Sequence, residues 1–271
     1  MLVEVVRLNG GVLPSTKAAA EAHARLAALS TSSDTVGVSF AGAALHYAYY
    51  ASKFESRSAL LMRFLSAALE PSTSPCAAAL RATLTQAGSG ALRLSVSSVG
   101  GGPGTETAGL VLADASLLSF SASPGGGLDL ALFDLERSWR RYLPCLGRLF
   151  GPSVELTFHG CDVTRGLSEP SNKRLAAAAA TTRLFLFSFV AHETAAASSA
   201  GGHELYCDLA KVCAGGTVFM FLDVRTYAVP VLAQILLRMQ CACPDIVLCR
   251  VHHDLPATTL LLQKRCPQGA G

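Results

Sequence analysis

At 271 residues, with 51% hydrophobic and 15% charged side chains, the chain carries too much apolar material and too little charge to be disordered, and its size suits one large α/β domain with an added segment. The formal net charge of +3 is small, and it neither demands nor excludes a nucleic-acid partner, because a local basic patch can hide inside it. Apolar runs are broken by charge or glycine before the ~20 residues that a bilayer span needs, so no membrane partner is expected.

The start, MLVEVVRLNGG, has Glu4 early and no basic flank before a long apolar stretch, which is unlike a secretory signal. The nine cysteines are odd in number, scattered, and mostly set in apolar segments such as ELYCDLAKVC and DIVLCRV. That pattern predicts buried free thiols in a reducing intracellular compartment, cytoplasm or nucleus. The CAC at Cys241 to Cys243 lacks CxxC spacing and has no complementary pair, so no metal is expected.

In chain order, residues 15–29 open with hydroxyl residues that can cap a helix and continue with alanine-rich helix formers. GAALHYAYYASKFESRSALLMRFLSAALEP then shows apolar residues at helical spacing and stops at Pro71. PSTSP at 71–75 is a break, and CAAALRATLTQAGSG predicts a short helix before a glycine stretch. From about residue 91, strand-like runs alternate with helical ones: LRLSVSSVG, TETAGLVLADASLLSF, LDLALFD, SWRRYLPCLGRLF, VELTFHGCDV, and so on to TTLLLQKR. Alternation of this kind marks a parallel sheet covered by helices on both faces. The last two strands, joined by a short connection around Pro256, are too close for a parallel crossover and must pair as a hairpin if they are neighbours.

The cluster Gly100-Gly101-Gly102-Pro103-Gly104 follows the first strand and leads straight into a helix. Glycines there expose backbone N–H groups to a ligand with no Cβ in the way. A dinucleotide fingerprint, counted from Gly100, needs glycine at position 105, where this chain has Thr105. SVGGGPGTE, followed in order by LFDLE, FHGCDV, LFSFVAHE and CAGGTVFMFLD, resembles the class I S-adenosylmethionine-dependent methyltransferases over roughly residues 45 to 265. The resemblance implies a Rossmann-like, doubly wound α/β fold with a seven-stranded sheet and an antiparallel last strand, plus N-terminal helices. Residues 1–90 would be a helical segment or lid, and 91–271 the domain that binds S-adenosyl-L-methionine.

The resemblance also implies roles for single residues. Gly100, Gly101, Gly102 and Gly104 would line the methionine part of the cofactor. Asp134 would accept hydrogen bonds from both ribose hydroxyls, with Glu136 as its rival. Asp162 would receive the adenine amino group between Cys161 and Val163, and Ser188 and Phe189 in the fourth strand would close over the cofactor. Asp134 and Asp162 can also be read as plain strand-end residues, and Glu106 either as a first-turn charge or as a partner for the cofactor's ammonium. His192 and Glu193 follow the fourth strand, where this family places substrate-facing residues; His192 would act as a base or orient a nucleophile, or would simply cap the strand. Tyr47, Tyr50 and Phe54 share a helical face, which fits a core stripe or a lid in which Tyr50 and Lys53 meet substrate.

HE at 192–193 is not followed by the second histidine of a zinc motif, and His252 and His253 alternate faces if extended. No Asn/Asp-Pro-Pro-aromatic loop follows the fourth strand, which disfavours planar amines as acceptors. The glycine loop and SFVAHE are closer to eukaryotic members, some similar to ribosomal-RNA uridine methyltransferases. The methyl acceptor is thus open among RNA, protein and small molecules. A catalytically inactive binding or assembly subunit is the alternative, and a nucleotide-binding oxidoreductase is disfavoured by Thr105 and the terminal hairpin.

Overall fold

Seven short runs rich in Leu, Val and Phe pair into one sheet: β1 (Leu94–Val99), β2 (Leu128–Asp134), β3 (Val154–Gly160), β4 (Leu184–Ser188), β5 (Val218–Val224), β6 (Ile246–Asp254) and β7 (Ala257–Lys264). The computed structural model describes residues 2–8, 10–31, 42–69, 78, 93–114, 126–201, 203–254 and 257–265. The strand order is β3-β2-β1-β4-β5-β7-β6. β1 to β5 are mutually parallel, and β7 runs antiparallel to both β5 and β6. This is the seven-stranded Rossmann-like sheet expected of a methyltransferase fold. β6 and β7 pair antiparallel up to Asp254 opposite Ala257, as the terminal hairpin requires.

Every residue of β4 is buried, as a central strand covered on both faces demands. Phe185 and Phe187 lie in register with Phe219 and Phe221 of β5, and each pair stacks, with ring centres 5.2 and 4.6 Å apart. A helical stretch follows each parallel strand. These are α5 (Thr105–Ala113), α6 (Leu143–Phe150), α7 (Lys173–Ala179), the short α8 (Val190–Glu193) and α9 (Ala195–Ala200) with α10 (Glu204–Val212), and α11 (Arg225–Ala242). β1 pairs with β2 on one side and β4 on the other, so the connections leaving these strands diverge. Such a divergence opens a crevice at the carboxyl ends of the strands, where ligands of open α/β sheets bind.

Before the sheet come α1 (Leu2–Leu8), α2 (Thr16–Thr31), α3 (Ala43–Tyr49) and α4 (Glu55–Leu69). The Ser15 hydroxyl accepts the Ala18 N–H at 3.2 Å, the cap its position predicts. The second leading helix is helical from Ala43 to Leu69, but residues Tyr50–Phe54 form a π-turn between α3 and α4. Leu60, Leu61, Phe64 and Leu65 of α4 join a core cluster with β1, β2 and β4, each contributing about 1.5–3 kcal/mol by burial. Gly109 of α5 permits this approach: a Cβ there would lie 2.6 Å from the Ser58 carbonyl oxygen. α3 instead packs its Leu45 and Tyr49, with Tyr50 of the π-turn, against Leu132, Trp139, Tyr142 and Phe158. The predicted break at 71–75, the helix at 76–90 and the continuation of α5 past residue 114 lie outside the described residues.

Among the described residues the cysteines are unbridged, and Cys145, Cys161, Cys213 and Cys243 are buried. No described helix is long and apolar enough to cross a membrane. No group of three or more described His, Cys, Asp or Glu side chains is placed to hold a metal ion.

Candidate functional site

The glycine loop forms because three of its residues need left-handed backbone: φ is +71° at Gly100, +29° at Gly102 and +80° at Gly104. It is tied down at both ends. The Gly100 N–H donates to the Phe133 carbonyl at 2.7 Å, and the Gly104 N–H to the Gly101 carbonyl at 2.8 Å. A Cβ on Gly100 would fall 2.7 Å from Val190, so α8, which follows β4, lies directly against the loop. Gly101 to Gly104 are buried.

Asp134, the last residue of β2, reaches the loop. Its Oδ2 accepts the Gly102 N–H at 2.8 Å, and its Oδ1 accepts the Glu136 N–H at 2.8 Å. An ionised carboxylate has about four acceptor positions, so each oxygen keeps capacity for a further donor. Burial pushes the Asp134 carboxyl up to about 6 despite these two bonds. Glu136 turns elsewhere and caps the 3-10 turn Arg137–Tyr142 by accepting the Ser138 N–H at 3.0 Å. Leu135, between the two acids, is 61% exposed, an apolar face open beside Asp134.

Glu106, in the first turn of α5, is 3% exposed. Its Oε1 accepts the Thr105 hydroxyl at 2.7 Å, while its Oε2 is buried with no hydrogen-bond partner among the described residues. Burial, only partly opposed by Thr105, raises the Glu106 carboxyl to about 7.

Asp162 follows β3. Its Oδ1 accepts both the N–H and the hydroxyl of Thr164, at 3.0 and 2.6 Å, and its own N–H donates to Asn172 at 2.8 Å. Asn172, fully buried, organises this turn by donating to the carbonyls of Asp162, Arg165 and Gly166. Cys161 and Val163, on either side of Asp162, are buried in the sheet core.

The segment after β4 is the second wall. Ser188 ends the strand and is buried. Phe189 lies one residue past the strand rather than within it: its φ of +60° turns the chain sharply into α8. A non-glycine residue in that region stores strain, and such strain clusters at functional sites. His192 is 1% exposed, and Asp223 of β5 holds it twice, through the ring Nδ1 and through the backbone N–H at 2.9 Å. Burial favours the neutral ring, but the Asp223 carboxylate outweighs it and raises the His192 pKa. Glu193 is raised to about 7 by burial, against the pull of Arg57 and His192.

The leading helix covers both walls. The Tyr50 hydroxyl donates to the Pro103 carbonyl at 3.0 Å, and the Ser58 hydroxyl to the Thr105 carbonyl at 2.9 Å. Arg57 donates to the Tyr49 hydroxyl at 2.7 Å and stands 3.8 Å from Glu193. Lys53 is half-buried; burial, then Arg57, lowers its pKa. The structure thus brings Gly100–Gly104, Asp134 and Tyr50 to one place, with Phe189 and Glu193 tied to the same helix through Arg57. Asp162 lies next to this place, in its own turn beyond β3: the N–H of the preceding Cys161 donates to the Asp134 carbonyl at 3.0 Å. Sequence reasoning missed Arg57, Asp223 and Asn172. Only Asp223 carries a local signal, as a lone acid near the end of the apolar run VFMFLDV.

No protein-family model matches the chain, and no curated protein is similar to it at a significant level. Among solved structures, the fold is similar to that of an rRNA methylase from Streptococcus thermophilus, with 15% identity, 69% of this chain and 93% of that one covered, and a TM-score of 0.39. A S-adenosylmethionine-dependent methyltransferase from Clostridium acetobutylicum matches at 8% identity over 63% of this chain and 84% of that one, with a TM-score of 0.42. The plantazolicin methyltransferase BpumL, solved with SAH, matches at 11% identity over 91% of this chain and 99% of its own, with a TM-score of 0.47. The strand order and directions, read from this chain's own pairing, carry the fold assignment.

Proposed function

We propose that the chain is an S-adenosylmethionine-dependent methyltransferase. One observation carries the reading: at the crevice between diverging strands, a left-handed glycine loop is bonded to the carboxylate that ends the neighbouring strand, Gly102 N–H to Asp134. Gly100 to Gly104 would pass the amino-acid part of the cofactor, Asp134 would hold its ribose hydroxyls, and the exposed face of Leu135 would lie under its adenine. The residues fit a cationic ligand. Glu106 has a buried oxygen without a partner among the described residues, and burial holds Glu106 and Asp134 near the neutral range. A positive charge beside them would favour their ionised forms.

When bound, the cofactor supplies a methyl group on a sulfonium, which an acceptor displaces in line. The protein's work is therefore alignment and exclusion of water. Residues 1–90 would exclude water as a lid, held over the loop by Tyr50, with Tyr50 and Lys53 nearest the acceptor. His192, fixed by Asp223, would orient the acceptor or take its proton, with Glu193 beside it. Asp162 would meet the adenine amino group through its second oxygen.

Calorimetry with S-adenosylmethionine against NAD tests the cofactor. A labelled-methyl screen over RNA, protein extract and small amines tests turnover and the acceptor class. A second reading, a binding subunit that does not turn over, draws on the near-complete burial of His192. It predicts cofactor binding without transfer to any acceptor.

A further inference from the structure

We infer that the carboxyl end of edge strand β3 is a docking surface for the phosphodiester backbone of a nucleic acid. The inference goes beyond methyl transfer and does not depend on it.

Among the described residues, β3 has a strand neighbour only on its β2 side. Two elements bring positive charge to its last residues. Arg137, from the 3-10 turn after β2, lies against Gly160: a Cβ placed there would come 3.2 Å from its Nε and 3.3 Å from Nη2. Arg174 of α7 and Arg140 of the same turn lie within electrostatic reach of His159. Partial burial and then these two positive charges hold the imidazole below its usual pKa, so the ring adds a neutral hydrogen-bonding group among cations. Lys173 stands beside Arg174 in α7.

All four cations are exposed, and none forms a salt bridge among the described residues. Elsewhere on the surface, Lys17 is paired with Glu21, Arg93 with Asp129 and Lys211 with Asp208. Like charges gathered from separate elements repel one another, and phosphate oxygens placed among them remove that cost. A single phosphate engages one or two such groups, whereas a rim of four matches a repeating charge. Thr157 of β3 and Ser171 before α7 are exposed and add hydroxyl donors suited to phosphate. The aromatic residues of this region, Trp139, Tyr142 and Phe158, are buried, so no stacking platform for bases accompanies the cations. The contact is therefore with the backbone and independent of base sequence.

The test is fluorescence anisotropy of the full chain, without cofactor, on labelled single-stranded RNA and DNA of about 20 nucleotides between about 50 and 200 mM salt. The combined variant Arg137→Ala, Arg140→Ala, Arg174→Ala is expected to weaken binding at least about tenfold and to flatten the log–log salt slope by about 2. The matched triple lysine variant retains most of the affinity. Arg238→Glu, on α11 against β5 to β7 at the opposite end of the sheet, leaves binding within about twofold despite its larger charge change at that one site. An alanine variant that binds like the wild type overturns the inference, as does an Arg238→Glu loss equal to that of the alanine variant. Binding to anionic phospholipid vesicles but not to RNA or DNA, abolished by the same substitutions, overturns it in favour of a membrane surface.

Discussion

The Arg57 guanidinium lies 3.9 Å from the centre of the Phe189 ring. Arg57 belongs to the helix that precedes the sheet, and Phe189 to the strained turn that leaves β4, so one side chain ties the covering helix to the wall of the crevice. The guanidinium is largely desolvated by its neighbours: its side chain is 15% exposed, and it also bonds the Tyr49 hydroxyl and faces Glu193. A cation over an aromatic face is worth about 2 kcal/mol when water is kept away.

Arg57→Ala is therefore expected to destabilise the fold by about 2–4 kcal/mol, because it removes the ring contact and takes the positive charge from beside a buried carboxylate. Arg57→Lys should recover less than half of the loss, since a point charge lacks the planar fork that spans Phe189, Tyr49 and Glu193. Urea unfolding of the three proteins measures both. Full rescue by lysine would reduce the contact to simple charge.

Asp134→Ala should weaken S-adenosylmethionine binding by about ten- to a hundredfold, the worth of about 1.5–3 kcal/mol for hydrogen bonds to a charged acceptor. Asp134→Asn keeps one acceptor oxygen and should fall between wild type and alanine. Asp162→Ala should matter less for binding, because Asp162 would meet one donor, the adenine amino group, whereas Asp134 would meet both ribose hydroxyls. Calorimetry that finds Asp134→Ala unchanged removes the carboxylate from the cofactor site.

The pH dependence has a definite sign. Glu106, Asp134 and Glu193 have folded pKa values near 7, 6 and 7, all above their ordinary values because they are buried. Over that interval the folded state holds more protons than the unfolded chain, so stability without ligand should fall as pH rises from about 4 to about 7. His192, raised by Asp223, contributes in the same direction: its stabilisation is present at low pH and lost as pH rises through its folded pKa. A cationic ligand prefers the ionised carboxylates, so its affinity should rise between about pH 6 and 8, with proton release on binding. Thermal midpoints against pH, and binding heats in two buffers of different ionisation enthalpy, measure the two effects. Affinity that falls with rising pH would place the cation away from these carboxylates.

What was legible in the sequence was whatever depends on local order. The strand and helix alternation, the terminal hairpin and the glycine loop each follow from contiguous residues, and each is present. Asp134 could be singled out because it ends an apolar run. The contacts that close the site are of another kind. Arg57 and Phe189 are 132 positions apart by their numbers, and nothing near Arg57 in SKFESRSALL distinguishes it from a solvated helix charge. Phe189 was placed within β4 because apolar residues run through it, whereas its backbone turns left-handed at that point. Asn172 is invisible for a similar reason: its side chain bonds Asp162, Arg165 and Gly166, in a turn that only forms once β3 has ended.

Two glycines give opposite outcomes for the same substitution, which isolates how the leading helix is seated. Gly109 lies where α4 crosses α5, and a Cβ there would meet the Ser58 carbonyl oxygen at 2.6 Å and the Leu61 Cβ at 2.9 Å. Alanine improves helix propensity by about 1 kcal/mol, but forcing two packed helices apart costs about 1–3 kcal/mol, and the opposing atom is backbone that cannot rotate away. Gly109→Ala should therefore be net destabilising and should loosen α4, with faster hydrogen exchange at Tyr50 and Arg57. Gly147 of α6 has open space around the same atom. Gly147→Ala meets no obstacle and should stabilise by up to about 1 kcal/mol through propensity alone. Denaturant midpoints for the pair decide the matter: if both alanines stabilise, α4 does not sit on α5 at that distance, and the seating of the helix over the glycine loop fails with it.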